Sequence, residues 1–166
     1  MTQKIIIVDA NDQVIGSKER TEVTYDDTYR VAGLWVLNEA GDALLARRAL
    51  TKKHDPGKWG PSAAGTVEEG ETYESNMAKE AEEELGLTGF PLRMLHTELL
   101  QQNHKFFCTW FYVSVPTDTQ FRIQPEEVEE VRWFSREELT EAMRERRSDF
   151  IHNMDSAVAV LEQITP

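Results

Sequence analysis

Between residues 66 and 87 the chain sets eight glutamates, at positions 68, 69, 71, 74, 80, 82, 83 and 84, against one basic residue, Lys79. From Tyr73 to Leu85 there is neither Gly nor Pro. Thr72 has N-cap chemistry and Gly86 suits a helix stop, so the spacing predicts a helix over 73–85. Met77, Ala81 and Leu85 recur at i, i+4 and i+8 and mark its buried stripe. Counting about 100° per residue from Met77 puts Glu80, Glu83 and Glu84 at roughly 300°, 240° and 340°, on one contiguous face beside that stripe. Lys79 points elsewhere on the wheel. Carboxylates this close repel each other and weaken a helix, and a solvated helix would intersperse lysines. A hard divalent cation resolves the conflict. Mg²⁺ favours one or two carboxylate oxygens, with waters and substrate phosphates completing its shell.

Such a helix must be positioned by its surroundings. Gly65 and Gly70 bracket Thr66-Val67-Glu68-Glu69, so the backbone there can turn tightly and approach a ligand. The helix N-terminus adds a positive dipole end near Glu71. Upstream, Ile5–Val8 and Val14–Ile15 flank Asp9–Asp12 as a hairpin, and Val31–Leu37 with Ala43–Ala46 form a second hairpin around residues 38–42. Residues 51–60 are polar, contain Pro56-Gly57 and read as a loop; a short strand at Pro61–Ala64 should lead into the acidic segment. Strands follow at Leu92–Leu100, Phe106–Val115 and Val131–Phe134. Ser135 with Glu138 reads as a capping box, and a last amphipathic helix is expected over Asp149–Ile164. Hairpins, a central helix and late helices predict one α+β domain over 1–166, with helices packed on a mixed sheet.

Residues 65–87, GTVEEGETYESNMAKEAEEELGL, resemble the Nudix box, G-x5-E-x7-R-E-U-x-E-E-x-G-U with U aliphatic. Gly65, Glu71, Glu80, Ala81, Glu83, Glu84, Gly86 and Leu87 fall in register, and Lys79 stands where the family usually has arginine. The resemblance implies an α/β/α sandwich with a mixed β-sheet and the Nudix loop-helix. It further implies an enzyme binding Mg²⁺ or Mn²⁺, in which water attacks a phosphorus of a nucleoside diphosphate derivative. By position it makes Glu80 and Glu84 metal ligands and Glu83 a ligand or proton acceptor. Gly65, Glu71, Lys79 and Gly86 become the residues that shape loop and helix. The family's arginine braces the loop and a neighbouring glutamate; lysine keeps the charge and loses the bidentate fork. A further acid from outside the box often joins, and Glu127, in the acidic run Pro125–Val131, is the candidate.

Phosphates need cations. Arg47, Arg48, Lys52, Lys53 and Lys58 cluster just upstream against one acid, Asp55. Arg48, Lys52, Lys53 and Lys58 are therefore candidates for binding the substrate's phosphates, with ordinary surface cations as the alternative. Trp59 and Trp110 fit either base stacking or the core.

Two rivals share the box. The chain also resembles the branch near isopentenyl-diphosphate isomerase, in Ile7–Gly16 and in Trp59-Gly60-Pro61. That enzyme uses a cysteine just before the box and a histidine-rich metal site. Pro61-Ser62-Ala63-Ala64 has neither residue, Tyr29 stands where one histidine is expected, and Cys108 is distant in sequence. A non-catalytic nucleotide-binding module would have lost box glutamates, and this chain keeps them. The window some 15–18 positions past the box, Gln102-Asn103-His104-Lys105, shows neither the proline nor the tyrosine that marks particular subfamilies, so the substrate is not readable.

The net charge of -12 argues against duplex nucleic acid. One cysteine excludes an internal disulfide framework, and no apolar run is long enough to span a bilayer. With no signal peptide evident, the expectation is a cytoplasmic enzyme acting on a small-molecule nucleotide diphosphate, with no membrane partner and homodimerisation left open.

Overall fold

The computed structural model describes residues 3–101 and 103–165, so Gln102 of the window beyond the box lies outside the described residues. Its strands are β1 (Lys4–Val8), β2 (Val14–Glu19), β3 (Thr28–Leu37), β4 (Ala43–Arg48), β5 (Trp59–Gly60), β6 (Ala63–Thr66), β7 (Arg93–Gln101), β8 (Lys105–Ser114) and β9 (Val128–Phe134). The α-helices are α1 (Tyr73–Leu85), α2 (Arg136–Glu145) and α3 (Met154–Leu161). The strands form one mixed sheet with β3 as its spine. On one flank β8 runs parallel to β3 along its length, from Thr28 opposite Lys105 to Leu37 opposite Ser114. On the other flank β3 meets β1, β6 and β4 in turn, all antiparallel.

The pleat of β3 decides where the helices sit. Alternate residues point to opposite faces. Ala32, Leu34 and Val36 pack under α1 against Met77, Ala81 and Leu85. Trp35 and Leu37 pack on the other face against α2 and α3, through Leu139, Ala142, Met154, Ala157 and Leu161. The result is the expected α/β/α sandwich. The α1 stripe is buried as its spacing predicts, with Met77 and Leu85 at 0% exposure. Burying side chains of that size stabilises the fold by about 2 kcal/mol each.

Several bounds depart from expectation: Trp59–Gly60, at the end of the expected loop, is a short strand; β9 starts at Val128 rather than Val131; and Ser135 accepts from the Glu138 N–H while the Glu138 carboxylate turns to Arg132, so that capping box is half formed. Two further departures have causes in the strand pairing. The strand leading into the acidic loop lies at Ala63–Thr66 rather than Pro61–Ala64, because its partners on β3 are Leu34 back to Val31. The last helix starts at Met154, not Asp149. Phe150 is buried and bridges in parallel to Trp59, and the Ile151 N–H donates to the Trp59 carbonyl at 2.9 Å, which holds the chain extended there.

The β1–β2 hairpin is tied to the acidic loop. The Ile6 N–H donates to Val67 O (3.2 Å) and the Glu69 N–H to Lys4 O (2.9 Å), so the loop adds to the free side of β1. Gln3 donates to the Glu68 carboxylate at 2.6 Å and Ser17 to that of Glu69 at 2.6 Å. Ile6, Val8 and Val67 close a small core between hairpin and loop. At the hairpin tip, Asp12 accepts from Arg30 (2.7 Å) and from the hydroxyl of Tyr73 (3.0 Å), the first residue of α1.

Candidate active site

Both ends of α1 are pinned. At the start, Thr72 and Ser75 form a reciprocal capping box, the Ser75 N–H donating to Thr72 Oγ1 (3.1 Å) and the Thr72 N–H to Ser75 Oγ (2.9 Å). At the end Gly86 adopts φ 65°, the left-handed cap that an L side chain disfavours. The last helical carbonyls lack partners within the helix. The Arg122 N–H bonds Leu85 O (2.9 Å) and the Gln124 N–H bonds Glu84 O (3.2 Å). This docking draws residues 122–127 onto the helix end and brings Glu127 to the box glutamates.

The wheel sends Lys79 away from the carboxylate face, but the folded loop comes to meet it. Its ammonium lies 2.8 Å from Glu68, 2.7 Å from Glu71 and 3.8 Å from Glu80. Asn76, fully buried and not singled out by the sequence, donates through Nδ2 to Glu71 Oε2 (2.8 Å) and to Thr66 O (3.1 Å). Its Oδ1 is buried with no hydrogen-bond partner among the described residues. A polar residue one position before the buried Met77, inside the first turns, is the signal that could have found it. The Glu68 N–H also donates to Glu71 Oε2, at 2.9 Å. Burial opposes ionisation of Glu71, but Lys79, the Glu68 amide and Asn76 outweigh it and hold the carboxyl below its usual range. The hydrogen bond from Lys79 does the same for Glu68, and the paired carboxylates hold the lysine charged against the cost of its own burial. Two residues thus divide the bracing of Glu71 that one guanidinium can provide.

Glu80, Glu84 and Glu127 lie near enough beyond this brace for their charges to act on one another. Glu80 lies directly against Gly65: a Cβ there would sit 2.3 Å from Glu80 Cγ and 2.5 Å from its carboxyl carbon. Burial, then the charges of Glu83, Glu71 and Glu127, push Glu80 up to about 7 despite Lys79. The Glu84 side chain keeps some exposure, but its carboxyl group is enclosed. Burial and repulsion from Glu80 and Glu127 push it up to about 8, against an Ala64 backbone hydrogen bond and the Arg48 charge. The helical wheel sets Glu84 clear of the buried stripe; docking of residues 122–127 encloses it instead. Glu83 is exposed at the rim. Among the described residues no three His, Cys, Asp or Glu side chains already converge as a metal cage. The donor set nevertheless fits a hard divalent ion, because Glu80 and Glu84 offer carboxylate oxygens whose mutual repulsion a cation would relieve, and Mg²⁺ needs only one or two protein oxygens.

The basic candidates divide. Lys52 pairs with Glu127, and Arg48 carries its charge toward Glu84 while its Nε donates to His54 O (3.0 Å). Lys58 pairs with Asp55 at 3.2 Å, and Lys53 is exposed. Trp110 is core at 3% exposure; Trp59 is half-buried, its ring edge-on to Phe134. Cys108 is buried and its thiol is pushed up by burial, so it offers no accessible nucleophile. Hollows of about 490 Å³ along α2 and about 200 Å³ behind α1 are not lined by Glu80, Glu84 or Glu127. The described helices include none long and apolar enough to cross a membrane.

Comparison with known proteins places the same residues in a family context. The NUDIX domain family model matches residues 27–154. An uncharacterized Nudix hydrolase of Pseudomonas aeruginosa is 36% identical over 85% of this chain and 82% of its own. An isopentenyl-diphosphate Delta-isomerase of Klebsiella pneumoniae is 34% identical, over 51% of this chain and 47% of its own. A crystal structure from Deinococcus radiodurans superposes with TM-score 0.83 at 23% identity, covering 95% of this chain and 98% of that one.

Proposed function

The chain belongs to the Nudix hydrolase family, whose members hydrolyse pyrophosphate bonds, and from that premise we propose that it cleaves the diphosphate of a nucleoside diphosphate-linked small molecule with Mg²⁺ or Mn²⁺. The observation carrying the metal-dependent reading is the trio Glu80, Glu84 and Glu127. Their charges act on one another, and burial together with that repulsion raises the proton affinity of Glu80 and Glu84. Glu80, Glu84 and the rim residue Glu83 would hold the cation. When bound there, it supplies Lewis acidity and offsets charge developing on the phosphate oxygens.

The protein's own part is geometric and protonic. Gly65 lets the loop close on Glu80, while Lys79 and Asn76 fix Glu71 and hence the loop. A water oxygen forms the new bond to phosphorus as the bond to the leaving phosphate oxygen breaks. The water's proton passes to the carboxylate group of Glu80, Glu83 and Glu127. Arg48 and Lys52, turned toward that group, meet the incoming phosphates. The isomerase reading has less support: a cysteine before the box is absent, and Cys108 is enclosed.

The deciding experiment is a release assay over nucleoside di- and triphosphates, nucleotide sugars, ADP-ribose, NADH and coenzyme A. Turnover of at least one that disappears with chelator is the expected result. Metal-independent turnover, or conversion of isopentenyl diphosphate to its dimethylallyl isomer, would overturn the reading.

The basic residues should separate in kinetics. Arg48→Ala and Lys52→Ala are expected to raise KM by about tenfold with a smaller fall in kcat, the signature of binding lost equally from ground and transition states. Lys58→Ala should leave KM alone and lower the melting temperature slightly, since a part-exposed ion pair contributes about 0–1 kcal/mol. Equal KM effects from all three would contradict this division.

A further inference from the structure

Resting on that reading of the site, we propose that Glu98 reads the substrate's nucleobase. The base lies on the open half of the sheet beside Tyr29 and Phe106, and its amino or imino N–H groups donate to the Glu98 carboxylate.

The open half follows from how the helices sit. α2 and α3 cover Trp35, Leu37, Ala43 and Leu45, while Val31, Leu100 and Phe106 on the same face stay only partly buried. Register fixes what stands beside what. Glu98 is opposite Cys108, Cys108 opposite Val31, and Val31 opposite Thr66, so four strands place these residues in one row. Paired residues on neighbouring strands point to the same face. In the next row Leu100, Phe106 and Tyr29 align, and the Tyr29 and Phe106 rings stack at 5.6 Å. In the row on the other side stand Trp110, Gly33 and Ala64. The Trp110 ring lies across Gly33, where a Cβ would come within 2.6 Å of it. Ala64 is exposed, and its backbone hydrogen bond goes to Glu84. The face therefore ends at the catalytic carboxylates on one side and at Glu98 on the other. From Thr66 to Glu98 is three inter-strand steps, about 14 Å. The sugar and first phosphate of an extended nucleotide suit that span.

Glu98 itself is out of place on an aromatic and aliphatic face. It is half-buried, and no cation pairs with it among the described residues. Among the described residues its carboxylate's one hydrogen bond comes from the Trp110 indole N–H to Oε1 at 2.8 Å. A carboxylate has about four acceptor sites; Glu98 Oε2 is not among the buried unpartnered atoms and so reaches water, and a ligand that displaces that water must fill the sites it vacates. An ionised carboxylate only accepts, so the group completing it must donate. A stacked aromatic pair beside it selects a flat ring over an aliphatic or sugar terminus.

The test is calorimetric titration of the full chain, with Mg²⁺, using the α,β-methylene analogues of GDP, ADP, CDP and UDP. Methylenediphosphonate serves as the base-free probe. The wild type should separate its tightest and weakest base by about tenfold or more, as expected where an acceptor that loses its water on binding must be matched. Glu98→Gln keeps an oxygen for Trp110 and should cut that ratio to about threefold or less by weakening the tightest base. Its melting temperature and its affinity for methylenediphosphonate should not change. Glu98→Asp, which withdraws the carboxylate but keeps its charge, should fall between. Binding that ignores the base, a Gln variant that discriminates like the wild type, an equal loss for methylenediphosphonate, or no nucleotide binding would each overturn the proposal. Hydrolysis is assayed separately. Glu98-dependent base selection without turnover of any nucleotide would sink the hydrolase reading and leave this one standing, whereas turnover without base selection would do the reverse.

Discussion

Glu84→Gln should sharply cut metal-dependent activity while making the metal-free protein more stable, and the gain should grow with pH. The Glu84 carboxyl is pushed up to about 8 and Glu80 to about 7, from an ordinary value of 4.5. Between those limits the folded state binds more protons than the unfolded one. Stability of the metal-free protein therefore falls as pH rises from about 4.5 to about 8, and the whole penalty is present above that. Removing one charge should lift the melting temperature little at pH 5 and clearly at pH 8, on the order of a few kcal/mol in stability at the upper end. The amide oxygen can still accept from Ala64. The wild type should show the opposite linkage with Mg²⁺ or Mn²⁺, gaining roughly 2.7 kcal/mol at a hundredfold excess over Kd; the variant should gain little. Activity should drop by about 10²-fold or more, the scale of losing one preorganised charge. A Glu84→Gln protein that unfolds more easily at pH 8, yet responds to metal as the wild type does, would make this carboxylate a structural group.

Gly65→Ala is the second large effect, and its origin is steric alone. Gly65 is not among the positive-φ residues, so an alanine backbone fits there without strain. Its methyl group does not fit, because it would meet the Glu80 Cγ, carboxyl carbon and Oε1 at 2.3–2.5 Å. Either Glu80 swings away from Glu84 and Glu127, or β6 shifts on β3. A displacement of about 1 Å at a catalytic group costs on the order of 10²-fold in rate, and overpacking costs about 1–3 kcal/mol. Gly70 is the control. It has φ 88°, and a methyl group added there would meet nothing within 4 Å, so Gly70→Ala should cost stability through its backbone and leave Glu80 in place. Rates and melting temperatures of the two variants should diverge accordingly. Full activity in Gly65→Ala would show that the closeness of loop and helix is incidental.

What can be read from the sequence is mostly what is decided within a few residues. α1 runs Tyr73–Leu85 as its cap residues require, since Thr72, Ser75 and Gly86 act on their immediate neighbours. Both N-terminal hairpins also sit where their turn residues put them. Contacts made across the chain are not readable in this way. A helical wheel knows nothing of the loop that folds back on it, so it turns Lys79 away from the glutamates it serves. It leaves Glu84 open to solvent because the segment that encloses it arrives some forty residues later, drawn in by the unpaired carbonyls at the helix end. The acidic run at 125–130 looks uniform, and only that docking distinguishes Glu127 from its neighbours. The final helix is shorter than its apolar spacing suggests, because spacing cannot reveal that Phe150 is held as an extended bridge by Trp59.

The stitching of the first hairpin to the acidic loop has a bearing on how the molecule is made. On the ribosome the chain emerges from its N-terminus, so β1 and β2 are complete before Thr66–Glu69 exist. The hairpin is local and quick to form. The bonds from Gln3 to Glu68 and from Ser17 to Glu69 span 65 and 52 residues and must wait. Closing so long a loop is slow relative to local structure, although each further residue adds little to its entropic cost. The nascent hairpin, half of whose binding edge is meant for a segment not yet synthesised, is thus a docking template carried in advance. The acidic loop acquires its final shape only when it returns to a hairpin made before it.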